Sequence, residues 1–176
     1  MDFVRVAKTL ADFFHEKRYP FAVVGAFGLS AYGMIRATQD LDFITSTDAQ
    51  DELVEFLESL GYETIHRSEG YSNHVHTNMA LGRVDIIYVA GETKNRLFLE
   101  TAVLLQLGDL SLPVPRAEHL AGMKIHAMKN DPGRTFQEMA DIQFLLGIPG
   151  IDEAAIRSYF EKSGLLERYD EIKKVR

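Results

Sequence analysis

Asp40 and Asp42, separated by one residue in the run Asp-Leu-Asp-Phe-Ile-Thr, are the side chains of this sequence best placed to do chemistry together. The run alternates as a strand does, and on a strand residues two apart project from the same face. At about 3.3 Å per residue the two carboxylates stand roughly 6.6 Å apart, close enough that ionising both without a counter-charge is unfavourable. A bound divalent cation relieves that repulsion. Hard cations such as magnesium take oxygen ligands and keep waters or substrate phosphates as the remainder, so the pair implies a phosphate-bearing substrate. Upstream, Gly25 and Ala26 form the turn between an apolar strand and a helix read from Phe27 to about Ile35. Small residues there let a phosphate approach the backbone, and the helix N-terminus offers unpaired N–H donors. Singly, an Asp-x-Asp is most often a solvated strand face and a Gly-Ala turn only a turn. Combined at this spacing, with Arg36 between them, they address one ligand.

Two later stretches add ionisable groups. In Arg83 to Val89, a strongly β-forming run, Val84, Ile86 and Tyr88 share one face while Asp85 shares the other with Ile87 and Val89. Both faces are apolar, which places Asp85 near or within the interior and requires a partner for it. His74 and His76 share a face of the preceding strand; with no third zinc ligand identifiable, they read as an exposed or substrate-edge pair. In the helix Arg116 to Lys129, successive residues turn by about 100°, so Lys124 falls amid Met123, Ala127, Leu120 and Met128 in the apolar stripe. Lysines at stripe edges snorkel. A central one is expected to reach a nucleotide phosphate or an acidic partner, and Asp141, on the helix Phe136 to Leu146, is a counter-ion within the same part of the chain.

The ordered set Gly25, Ala26, Gly33, Arg36, Thr38, Asp40 and Asp42 resembles the signature of the DNA polymerase beta-like nucleotidyltransferase superfamily, and most closely its small bacterial branch of AbiEii-type toxins and minimal nucleotidyltransferases. That branch more often has Ser or Gly where this chain has Ala26. A second block, Glu118, Leu120, Lys124, Pro132, Gly133, Glu138 and Asp141, resembles the AbiEii-type pattern in the same order. The resemblance implies an α/β fold, a small mixed sheet flanked by helices, with a helical C-terminal subdomain. It implies a third carboxylate on a strand after a hairpin, the position of Asp85, and two magnesium ions, or manganese in their place, held by Asp40, Asp42 and Asp85. It assigns nucleotide binding to Gly25, Ala26, Arg36, Thr38, Lys124 and Asp141. The reaction implied is transfer of a nucleoside monophosphate from a nucleoside triphosphate to a hydroxyl of RNA, transfer RNA included, or of a protein, with a cognate antitoxin as partner if the chain is a toxin. Two other readings stand beside it: a catalytically degenerate nucleotidyltransferase fold serving as a binding or regulatory module, suggested by Ala26, and a glycosyltransferase using Asp-x-Asp on a nucleotide-sugar diphosphate.

The elements that must position these residues follow from periodicity. Phe3, Val6, Leu10, Phe13 and Phe14 mark an amphipathic helix ending before Pro20; Phe21 to Val24 is a strand; Leu53, Phe56, Leu57 and Leu60 mark a helix stopping at Gly61; Tyr62 to Ile65 is a strand. Tyr71 to Ala90 reads as a hairpin turning near Leu81 and Gly82. Phe98 to Leu107 and Leu110 to Val114 read as a helix followed by short strands, and Pro113 and Pro115 mark passage into a helical part, giving domains 1–115 and 116–176. Asp152 caps the last segment, two short helices broken at Gly164. With 176 residues the chain can bury roughly 70% of its unfolded surface. A net charge of −7 argues against non-specific nucleic-acid binding as its main task. No run approaches the about 20 apolar residues of a membrane span, and there is no cysteine and no apolar signal core, from which a cytoplasmic location is expected.

Overall fold

The computed structural model of the chain describes residues 1–100 and 103–175. It contains two compact units, Met1–Pro115 and Arg116–Arg176.

The first unit is built on a five-stranded sheet: β1 (Phe21–Val23), β2 (Asp40–Ser46), β3 (Glu63–Arg67), β4 (Tyr71–Val75) and β5 (Arg83–Val89), in the order β1-β2-β5-β4-β3. The sheet is mixed, because β2 and β5 run parallel while the other neighbours are antiparallel. Helices α1 (Phe3–Lys17), α2 (Gly25–Ser30), α3 (Gln50–Ser59) and α4 (Gly91–Leu99) accompany it, and β6 (Val103–Leu107) pairs with β7 (Leu110–Val114) in a separate ribbon. Asp2 caps α1 by accepting from the Arg5 amide, and the helix ends where Arg18 turns left-handed and returns its N–H to His15 and Phe14. Its apolar stripe supplies Phe14, which stacks on Phe21 of β1 at 4.8 Å and lies 5.8 Å from Phe43 of β2, while Phe13 stacks on Phe56 of α3 at 4.6 Å. Leu41 and Phe43 of β2 and Val84, Ile86 and Tyr88 of β5 are buried on that side. Strand alternation therefore sends Asp40, Asp42 and Asp85 to the opposite face.

Two expectations are corrected here. The helix after β1 covers Gly25–Ser30 rather than 27 to about 35, because Gly33, at φ +98°, turns the chain out of it and the segment to Asp40 runs without regular structure. The apolar run read as a helix over 98–107 is the end of α4 followed by strand β6, with Thr101 and Ala102 outside the described residues. In β6 Leu105 is buried between exposed Leu104 and Gln106, a period of two that an unbroken apolar run hides.

The second unit is helical throughout its described residues: α5 (Ala117–Asn130), α6 (Thr135–Leu146), α7 (Glu153–Ser163) and α8 (Leu166–Val175), with a 3-10 turn at Pro132–Arg134. Leu120, Ile125, Ile142, Leu145, Ile156 and Phe160 are almost wholly buried in it. Asp152 caps α7 by accepting from the Ala155 amide and donates its own N–H to Glu118 at 2.9 Å. Burial works to raise the Glu118 carboxyl, but hydrogen bonds from the Asp152 and Glu118 backbone and from Arg116 outweigh it and hold the group below the ordinary carboxylate range. Among the described residues no helix is long and apolar enough to cross a membrane.

Candidate active site

The parallel register of β2 and β5 sets Asp40 opposite Arg83 and Asp42 opposite Asp85, so three carboxylates and one guanidinium share a patch of one sheet face. One oxygen from each of Asp40, Asp42 and Asp85 lies within 4.8 Å of the others, and all three residues are half-buried. Oxygens on opposite sides of one magnesium ion stand about 4.2 Å apart, so small side-chain rotations bring these donors onto a hard cation. The donor set, all carboxylate oxygen, fits magnesium or manganese and not a thiophilic metal.

Each carboxylate is held differently. Thr38, expected to touch nucleotide, donates its hydroxyl to Asp40 Oδ1 and so fixes that carboxylate. Gly25, at φ +60°, opens α2 directly against Asp42: a Cβ there would lie 1.9 Å from Asp42 Oδ2. Only glycine leaves room for this carboxylate, whatever the turn also binds. Ala26 is buried beside it, and Arg36 is half-buried with its Nε shielded from solvent. Asp85, expected near or within the interior, is half-buried on a face whose companions Ile87 and Val89 are also half-buried, because the apolar packing of β5 is confined to its other side. Its partners are polar: Arg83 Nε donates to Oδ1 at 2.9 Å and Oδ2 at 3.1 Å, and Asn73 Nδ2, from the register-paired position of β4, donates to Oδ1 at 2.8 Å.

Neither Arg83 nor Asn73 was found from the sequence. Arg83 was within reach of the same period-two argument that pairs Asp40 with Asp42, since it lies two residues before Asp85 on its strand. Asn73 depends on the hairpin register, which composition does not fix. His74 is corrected too: it is wholly buried, on the face opposite Asp85, with its ring nitrogens on the hydroxyls of Thr64 and Ser72, and Ser72 continues to Tyr88. Burial pushes the His74 imidazole below its ordinary pKa. His76 is half-buried and takes the Asn78 amide on Nδ1.

Lys124 and Asp141 lie together in the second unit. Lys124 Nζ is 2.8 Å from Asp141 Oδ2 and 2.9 Å from Glu138 Oε2, and Arg134 reaches the other oxygen of Glu138 at 2.7 Å. Lys124, Glu138 and Asp141 are all buried, so the lysine does not snorkel; its stripe position is answered by acidic partners one helix away.

Solved structures share this architecture. The antibiotic-resistance factor ANT(2'')-Ia is similar over 97% of this chain and 99% of its own, with a TM-score of 0.70 at 14% identity. The lincosamide antibiotic adenylyltransferase LnuA, in its lincomycin-bound structure, is similar over 82% of this chain and 96% of its own, with a TM-score of 0.58 at 16% identity. A nucleotidyltransferase-like protein of Paracoccidioides brasiliensis is similar over 98% of this chain and 91% of its own, with a TM-score of 0.57 at 14% identity. No protein-family model and no curated protein matches the sequence. At such identities it is the fold that is held in common, and this chain has the nucleotidyltransferase fold.

Proposed function

We propose that this chain is a metal-dependent nucleotidyltransferase, moving a nucleoside monophosphate from a nucleoside triphosphate to an acceptor hydroxyl. The observation that carries the reading is the convergence of Asp40, Asp42 and Asp85 on one half-buried patch. Asp40, Asp42 and Asp85 would hold the cation that accompanies the triphosphate, each through a carboxylate oxygen. Magnesium or manganese bound there neutralises phosphate charge and lowers the pKa of the acceptor hydroxyl. Thr38 keeps Asp40 in one rotamer, Gly25 keeps Asp42 unobstructed, and Asn73 keeps Asp85 aimed. Arg36 and the Gly25–Ala26 turn steady the phosphates. In the reaction the acceptor oxygen bonds the α-phosphorus, the bond to the bridging oxygen breaks, pyrophosphate leaves, and the hydroxyl proton passes to solvent.

A degenerate binding module is disfavoured by the same cluster, since a fold without catalysis has no need to hold three acids together against their repulsion. For the acceptor we favour RNA or protein, the classes implied by the resemblance to the AbiEii-type branch; a toxin acting on RNA in the cytoplasm and restrained by an antitoxin is the corresponding biological role. Labelled triphosphates offered with transfer RNA, with protein, and with aminoglycosides and lincosamides sort these acceptors by where the label arrives.

The test of the chemistry is thermal. Magnesium and a nucleoside triphosphate together should raise the melting temperature more than the sum of either alone, by several degrees at about 100 times the dissociation constant, where binding adds about 2.7 kcal/mol. Asp40→Asn should abolish the synergy. No shift with any of the four triphosphates at millimolar magnesium would hand the chain to the binding-module reading.

A further inference from the structure

The most unusual member of the carboxylate patch is its cation. Arg83 sits across from Asp40 in the β2–β5 register and two residues before Asp85 on the same face. Its Nε–H is shared between both oxygens of Asp85, one of which also accepts from Asn73. The two partners differ in freedom: the Asp85 side chain is 18% exposed, while that of Arg83 is 45% exposed and has solvent to move into.

A dication that ligates Asp85 must approach an oxygen already covered by a guanidinium hydrogen, and at contact distance it meets a like charge across a few ångströms. We propose that Arg83 is a built-in competitor for cations at Asp85: guanidinium and dication exclude one another on that carboxylate, so that Arg83, a positioning residue, sets how tightly the Asp85 side of the patch holds a metal ion. This rests on the reading of Asp85 as a metal ligand given above. It gives a role to a permanent cation whose one Nε–H is shared between both oxygens of the third carboxylate. Its consequence is that cation binding at Asp85 waits on an event that draws the arginine away, and a triphosphate, which matches the guanidinium fork, is suited to do so.

The experiment is a manganese titration without nucleotide, read by the spin resonance of free manganese and by calorimetry. It compares the unaltered protein with Arg83→Gln, Arg83→Lys, Asp40→Asn and the double variant Arg83→Gln/Asp85→Asn. Arg83→Gln is expected to bind manganese about tenfold tighter or more, since a like charge at contact is removed from a partly exposed site. The gain should vanish in the double variant. Apo Arg83→Gln should melt lower than the unaltered protein and recover with manganese, which an arginine of merely structural importance would not cause. Should Arg83→Gln not fold, Arg83→Lys serves: its ammonium keeps the charge but loses the fork, and affinity should rise about threefold. Manganese bound with equal or lower affinity in these variants, in a protein whose binding is lost in Asp40→Asn, overturns the competition while the metal reading stands. If neither the unaltered protein nor any variant binds manganese, the metal reading falls and the competition with it.

Discussion

Two ionic clusters in this molecule are built from the same residue types and differ in exposure. On the sheet, Asp40, Asp42 and Asp85 gather half-buried beside the Arg83 guanidinium. In the helical unit, Lys124 and Arg134 face Glu138 and Asp141, two cations against two anions, with Lys124 and both acids buried. The helical cluster has its charges answered from within, and removing one member strands its partners away from water. The sheet cluster lies partly open to solvent, where cations can reach it. Exposure, not the kind of ionisable group, is the plainest difference between the two clusters.

The largest effect expected from this contrast is on the sheet. Asp42→Asn removes a metal-ligating charge while keeping shape, so transfer should fall by about a thousandfold or more, with a melting temperature unchanged or raised as carboxylate repulsion is relieved. Undiminished turnover by the folded variant ends the metal role of this residue. In the helices the same kind of change should act on stability instead. Lys124→Met takes a buried cation from Asp141 and from one oxygen of Glu138, so a loss of about 3–5 kcal/mol is expected, and adding Asp141→Leu should recover part of it because Arg134 still answers Glu138. A Lys124→Met protein that melts like the unaltered one but binds triphosphate weakly would erase the distinction and return the lysine to the nucleotide.

Smaller effects sharpen it. Gly25→Ala must displace the Asp42 carboxylate and strain a left-handed position, so a loss of about 1–3 kcal/mol is expected along with weaker manganese binding; unchanged affinity would show that Asp42 has room to move. His74 offers the mildest test. The unfolded histidine takes its proton near pH 6.5, whereas the buried one resists it, so stability should decline as the pH falls below about 6.5 and level off beneath the folded pKa, by at most about 1.4 kcal/mol per pH unit. Melting curves of His74→Gln should be flatter over that range, and identical pH profiles would remove His74 from the account.

What could be read from the sequence was what is local. Period two put Asp40 with Asp42 and separated Asp85 from Val84 and Ile86, and period 3.6 put Lys124 into an apolar stripe with Asp141 one helix on. The small mixed sheet with flanking helices came from the resemblance that the two motif blocks carry. What escaped was set by how strands pair: Asn73 reaches Asp85 only through strand register, and His74 is buried with its ring nitrogens on Thr64 of β3 and Ser72 of β4. The Gly25 turn was legible as glycine, but the reason for the glycine, a carboxylate pressed against its Cα, required the neighbouring strand. The helix drawn through Gly33 failed because a left-handed glycine outweighs the apolar spacing on either side of it.

The parallel pairing of β2 with β5 also says when the patch comes into being. Parallel neighbours cannot be joined by a tight turn, and here α3, β3 and β4 all intervene between the strand that carries Asp42 and the one that carries Asp85. During synthesis the first two acids emerge long before the third, and closing so long a loop is among the slower steps of folding. A chain cut after Val75 would keep Asp40 and Asp42 and still lack the patch. Cooperative binding of metal and triphosphate therefore reports on a finished sheet, and an immature chain is silent by construction.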